Sequence, residues 1–236
     1  MKNSISCPHC NSENAFYNVT CIKCKYYLRD RIFNIDLWSA ISSLIDNPTT
    51  SFRNIIFSEH KNFIFFILLF ISAKYLINVR LLAMISIGEF QTTVELLFSY
   101  LIILGLVCLY CIVFTLVYKI LCHFNSIHFR FKDVFSLIIY SQVPYALGLI
   151  ILFPLELVIF GDYLFSMNPT PFTIKGSIAY LFLVVEIGII LWSIFLTFKA
   201  FKAHSQSSTF SNLVTISFVV LFWTLLYFCS VIIFTI

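Results

Sequence analysis

Apolar residues recur in five long blocks along the chain, separated by short polar stretches. Each block is long enough to cross a membrane as a helix, which takes about 20 mostly apolar residues. The blocks run from Phe63 to Ile87, Leu96 to Ile120, Val134 to Phe160, Ser177 to Phe201 and Leu213 to Ile236. Lys74 and Arg80 interrupt the first, Pro144 and Pro154 the third, and Glu186 the fourth. Ahead of the first block the period changes. Leu37, Trp38, Ile41, Leu44 and Ile45 recur at helical spacing among Ser39, Ser42, Ser43 and Asp46, which predicts a short amphipathic helix. Asp36 suits its N-cap. Asn47-Pro48 suits its end, because the residue before proline disfavours helical geometry. Ser51 is expected to cap a second short helix carrying Phe52, Ile55 and Ile56. Amphipathic helices beside a membrane lie in its interface, with Trp38 as an anchor; a partner-binding face is the alternative.

Composition agrees with this pattern and narrows the class. Of 236 residues, 60% are apolar and 11% charged, whereas a soluble domain has about 45–50% and about 25%. A soluble globule of this size has too little interior for so much apolar surface. A cytosolic enzyme, a disordered tail and a secreted disulfide scaffold are excluded. The chain reads as an all-α membrane protein with five transmembrane helices, preceded by a short zinc ribbon (1–32) and an amphipathic juxtamembrane segment (33–62). Residues 63–236 form the membrane bundle.

Charge then sets an expected orientation. Lys2, Lys23, Lys25, Arg29, Arg31, Arg53 and Lys61 precede the first span; Lys119, Arg130 and Lys132 follow the second; Lys199 and Lys202 follow the fourth. On the opposite side stand Lys175 and, at the margin, Arg80. The positive-inside rule places the N-terminus in the cytoplasm and the C-terminus outside the cytoplasmic membrane. The first residues do not read as a signal peptide.

Four of the eight cysteines fall within Cys7-Pro8-His9-Cys10 and Cys21-Ile22-Lys23-Cys24, ten residues apart. Two C-x2-C knuckles in tandem suit a tetrahedral thiolate site, so zinc held by Cys7, Cys10, Cys21 and Cys24 is expected. Asn11 follows the first knuckle, where a left-handed residue is often needed, and Phe16 and Tyr17 are candidates to cover the metal. So short a module has no core of its own, and the metal would supply its folding energy. Two rivals are weaker. Cys-Pro-His-Cys is also a redox sequence of thioredoxin-like proteins, but that chemistry needs a βαβ scaffold that the roughly 60 residues before the first span cannot supply. The basic residues of the ribbon are read as topology determinants near anionic headgroups, and nucleic acid is not expected as a partner. The sequon Asn18-Val19-Thr20 lies between the metal ligands and is given no role.

Several short motifs carry a family likeness. A Trp38-bearing helix is followed by Asn47-Pro48-x3-Phe52-x2-Ile55; the third span holds Tyr140-Ser141-x2-Pro144; the fourth holds Gly188-Ile189 and Leu191-Trp192 and runs out into Lys202-Ala203-His204. From Asp36 to Ile236 the chain resembles the bacterial branch of the Yip (Ypt-interacting protein) family, a five-span membrane domain. Eukaryotic relatives bind Rab-type GTPases in vesicle traffic. This chain lacks their acidic Asp-Leu-Tyr-Gly-Pro segment, so Rab binding does not carry over. The resemblance implies a fold and a location rather than an activity.

Charges at membrane depth are rare and mark functional candidates. At 1.5 Å per residue, Lys74 and Glu186 differ in depth by only ~6 Å, which suits a buried pair holding two helices in register. Pro144 has no N–H for the carbonyl of Tyr140, and Ser141 and Gln142 lie beside that gap. Lys74, Tyr140, Gln142 and Glu186 therefore form a candidate intramembrane polar site. Glu156 and Asp162 are expected at the outer rim, in water. Cys108, Cys111, Cys122 and Cys229 read as packing residues, and His123 and His128, beside Arg130 and Lys132, as a strip facing headgroups. The first functional reading is a non-enzymatic membrane protein whose ribbon docks an unidentified protein partner, with a homo-oligomer compatible. The second is a transporter or channel using Lys74, Glu186 and the Pro144 break. An intramembrane enzyme ranks last.

Overall fold

The computed structural model describes residues 3–87, 95–166 and 168–235. Lys2 and Ile236 lie outside the described residues. Among the described residues, five helices are long and apolar enough to cross a membrane: Ile64–Ala83, Leu96–Phe124, Val143–Phe165, Gly176–Ser205 and Ser208–Ile233. The protein is an all-α, multi-pass membrane protein. The chain forms two compact units, each built from separated segments. The first comprises Met1–Ile64, Cys111–Ser141 and Leu196–Ile216; the second comprises Phe65–Tyr110, Gln142–Phe195 and Ser217–Ile236.

The first unit opens with an antiparallel hairpin of β1 (Ser4–Ser6) and β2 (Glu13–Ala15), with Ser4 opposite Ala15 and Ser6 opposite Glu13. Then come β3 (Ile32–Asn34), α1 (Leu37–Asp46), α2 (Pro48–Phe57) and β4 (Ser58–His60). β3 and β4 pair in parallel, Ile32 opposite Ser58, tying together the two ends of the juxtamembrane segment. Asp36 caps α1 by accepting from Ser39 N–H at 3.0 Å. Asn47 ends α1, its N–H reaching Ser43 O, and also caps α2, its side chain accepting from Thr50 N–H at 3.3 Å. The expected cap at Ser51 is therefore corrected. Proline at the first helical position lets α2 begin four residues earlier, and Ser51 is buried inside it, its hydroxyl donating to Ala40 O.

α1 packs on α2, and α2 on α5 (Phe131–Ser141). Leu44, Phe52, Ile55, Ile56, Tyr118, Leu137, Tyr140 and Phe201 are all but sealed from solvent in this unit. The apolar stripe of α1 is only half used: Leu44 is buried, but Trp38 and Ile45 are 76% and 59% exposed.

Three helices contribute segments to both units: α4 (Leu96–Phe124), α9 (Gly176–Ser205) and α10 (Ser208–Thr235). The second unit also holds nearly all of α3 (Ile64–Ile87), together with α6 (Val143–Leu147), a π-helical segment (Gly148–Leu152), α7 (Phe153–Phe160), a 3-10 turn (Gly161–Phe165) and α8 (Pro171–Ile174). The expected third span from Val134 to Phe160 is thus divided. α5 stops at Ser141, Gln142 takes a non-helical ψ of 6°, and the apolar crossing runs from Val143 to Phe165. The cause lies in Pro144, which withholds the N–H that would join the two pieces. Ile71, Tyr75, Val79, Ile103 and Leu226 form buried packing in this unit, and Phe160, Leu164 and Ala179 form a separate apolar cluster.

Candidate metal centre and intramembrane polar site

In the first unit each C-x2-C knuckle closes in the same way. Asn11 N–H donates to Cys7 O at 2.9 Å and Lys25 N–H to Cys21 O at 3.1 Å. Both donors sit in the left-handed region, at φ 54° and 61°. Asn11 was legible for this role; Lys25, which lacks a side chain suited to it, was not. The turns bring four free thiols together, with the Sγ atoms of Cys7, Cys10, Cys21 and Cys24 all within 4.8 Å of one another. Cys7 to Cys24 and Cys10 to Cys21 are each 3.6 Å. A disulfide needs about 2.05 Å, whereas a tetrahedron with metal–sulfur bonds of about 2.3 Å puts its sulfurs about 3.8 Å apart. The four sulfurs are therefore spaced as a metal cage.

Polar groups around the cage favour thiolate. Ser12 Oγ lies 3.0 Å from Cys10 Sγ and 3.1 Å from Cys21 Sγ, and Asn14 Nδ2 donates to Cys21 Sγ at 3.5 Å. The backbone N–H of Cys24 and the Ser12 hydroxyl pull the Cys21 thiol down to about 5. At Cys24 the Tyr26 N–H pulls the same way, but burial and the neighbouring thiols outweigh it and hold that group up at about 12. Four thiols this close cannot all ionise without a cation among them. Phe16 packs against Phe57 and edge-on to His204, with ring centroids 5.9 and 6.2 Å apart.

The ribbon is pinned rather than tethered. Asn3 Nδ2 donates to His128 O and His204 O, both at 3.0 Å, and Asn3 Oδ1 accepts from His128 N–H at 2.6 Å. Arg29 donates to Tyr17 O at 2.5 Å and to Phe57 O at 3.3 Å. Beneath it, the fully buried Asp133 accepts from Lys61 at 3.0 Å and from Arg130 at 2.9 Å. The Arg130–Asp133 spacing of three residues was visible in the sequence; Lys61, far upstream, was not.

The second unit holds the polar residues of the helices. Lys74 is completely buried and ion-paired with Glu186, whose side chain is 17% exposed. Gln142 Oε1 accepts from Tyr75 Oη at 2.8 Å and from Ser193 Oγ at 2.9 Å. Tyr140 belongs to the other unit, where its hydroxyl donates to Asn62 O at 2.7 Å. Gly148 is where the π-helical segment meets its neighbours: a Cβ there would lie 2.8 Å from Ile189 Cδ1 and 3.6 Å from Lys74 Cε. Glu156, expected in water at the rim, is only 6% exposed and within Coulombic reach of both Lys74 and Glu186. Its burial follows from the π-helical turn before α7, which shifts the helical register that sequence counting assumes. Asp162 is exposed.

Neither half of this arrangement resembles a nucleophile–base pair; one gathers thiolates and the other balances charge between helices. The class is a multi-pass membrane protein, with five candidate spanning helices among the described residues and a cysteine-rich N-terminal ribbon. The family model of the Yip1 domain matches residues 42–233, and the chain belongs to that family. No curated protein and no solved structure matches it.

Proposed function

We propose that the chain is a non-enzymatic protein of the cytoplasmic membrane, with a zinc-bound ribbon that presents a rigid docking surface to a cytoplasmic protein partner. The N-terminus lies inside and the C-terminus outside, following the basic-residue bias. The observation that carries this reading is the four-thiol cage on a ribbon held by Asn3 and Arg29. A pinned ribbon would offer a partner a surface of constant shape without paying for ordering on contact. Membership of the Yip1 family, which is not known for catalysis, supports the same reading.

The test is elemental analysis with affinity capture. Purified protein should carry about one zinc per chain, as a four-thiolate site takes one ion. Cys7→Ser with Cys24→Ser should abolish it. A cross-linked partner captured by the wild type should be lost from that variant; zinc-free wild type would end the proposal. A reporter fused after Ile236 should be active outside the cytoplasm, and one in the 119–133 segment inside.

One observation favours a second reading. Glu156 adds a second buried acid beside Lys74 and Glu186, a surplus titratable group suited to carrying a proton within a transport path. Proton- or cation-dependent uptake into proteoliposomes, lost in Glu186→Gln, would put this reading first.

A further inference from the structure

The first unit contains a cleft of about 600 Å³ with Tyr17, Arg29, Phe57, Arg130, Phe131 and Lys132 in its wall. Two of its guanidiniums lie on aromatic plates. Arg29 Cζ sits 4.2 Å from the Phe57 ring centroid and Arg130 Cζ 4.9 Å from that of Tyr17. Stacking and the bonds of Arg29 to carbonyl oxygens hold the two groups in place. The acids nearby are already engaged. Glu59 is gripped by Arg31 through two bonds of 2.6 and 2.8 Å, and Asp133 is shared between Lys61 and Arg130.

Arg29 has no carboxylate within ion-pair distance among the described residues, and its Nε is buried without a hydrogen-bond partner. Burial first, and then the like charge of Arg130, weakens its hold on its proton. Lys132 is exposed. Five cations, Arg29, Arg31, Lys61, Arg130 and Lys132, thus meet two acids. Fixing like charges together costs free energy unless an anion lies between them. Planar guanidinium forks match the oxygens of a phosphate.

The wall residues also place the cleft near the membrane surface. Glu59 stands five residues before α3, and Arg130 and Lys132 stand within eight residues of the end of α4, both spanning helices. Phe131, in the wall, and Phe124, at the end of α4, are 38% and 78% exposed. We propose that this cleft binds the phosphate of an anionic phospholipid headgroup, with Arg29 and Arg130 as the fork, Lys132 as the outer contact and Phe131 against the acyl boundary.

The test uses the full chain in detergent, with phosphatidylglycerol, phosphatidylcholine, inorganic phosphate or a short RNA oligonucleotide added, read by native mass spectrometry and thermal melting. Phosphatidylglycerol should form an adduct and raise the melting temperature; phosphatidylcholine should do neither. Lys132→Gln, an exposed change that leaves the fold intact, should weaken the adduct about fivefold, the factor corresponding to about 1 kcal/mol per basic residue at an anionic surface. Arg29→Gln should weaken it further. Lys23→Gln with Lys25→Gln, basic positions outside the cleft wall, should leave it unchanged. Equal weakening by that control pair would overturn the proposal, since it would mean diffuse attraction to the ribbon. Inorganic phosphate acting as well as the lipid would overturn the headgroup as the source. RNA binding in preference to lipid would overturn the ligand class, and failure of every probe would overturn the site.

Discussion

Among the described residues, the side chains of Lys61 and Lys74 are buried, and their surroundings differ. Lys61, in the first unit, has a side chain 5% exposed and pairs with Asp133, while its ammonium also donates to the carbonyl oxygens of Ile55 and Ile56 and to Ser58 Oγ. An ammonium has three hydrogens, and these acceptors saturate it. Burial pulls its pKa below the ordinary lysine value, with Asp133 opposing. Lys74, in the second unit, is fully buried and pairs with Glu186, with Glu156 as a second carboxylate in reach. The first lysine is an anchor with every donor matched, in a knot that joins α2, β4 and α5. The second is a pair with an acid to spare. A lysine whose donors are all matched resists change, whereas a site with a spare acid has more than one protonation state open to it.

Removing the counter-charge separates the two most sharply. Asp133→Ala leaves Lys61 buried and Arg130 without its acid. Breaking a buried pair costs about 3–5 kcal/mol in soluble proteins, and this change should be the most damaging, measured by thermal unfolding in detergent. A loss under about 1 kcal/mol would mean that the carbonyl oxygens alone satisfy Lys61, since a lost neutral hydrogen bond costs about that much.

Lys74→Met comes next. It should cost less than the change at Asp133, because water defects and snorkelling relieve charges at membrane depth. It should also cost more than Glu186→Gln, because Glu156 remains as a buried acid within Coulombic reach of Lys74. The double variant should recover much of the loss. Single losses that add would show two unrelated sites. Equal single losses with full rescue would show a pair in which Glu156 has no part. Glu156→Gln is the complementary measurement. It removes the surplus acid and keeps the pair, so the melting temperature should hold or rise; a fall as large as that of Glu186→Gln would make Glu156 the principal partner.

The smallest expected effect lies at the surface of the first unit. Arg31 grips Glu59 and holds its carboxyl below the usual 4.5. A lowered carboxyl contributes stability above its unfolded value and loses it as pH falls through the folded one. Acidification below pH 4.5 should therefore destabilise wild type slightly more than Glu59→Gln in parallel melts. Identical acid profiles would assign the pair no role in stability.

Much of this architecture follows from residue order alone. The apolar blocks reported their helices because a membrane forces each span to bury its backbone polar groups within itself. Asp36 reported its cap, and the two knuckles reported a thiolate cage, because both depend on contacts a few residues apart. The Lys74–Glu186 pairing was legible because two opposite charges at one depth have few other ways to be neutralised.

What tertiary structure alone decided involves either distant contacts or a shift in helical register. Asn3 reaches His128 and His204 across 125 and 201 residues, and Lys61 reaches Asp133. No local period encodes such pairings. Ser51 lost its predicted cap to Asn47 because Asn47 ends one helix while starting the next, an economy visible only when both are seen. Glu156 is buried rather than solvated because a proline break and a π-helical turn rotate α7, and counting at 3.6 residues per turn carries no record of that rotation.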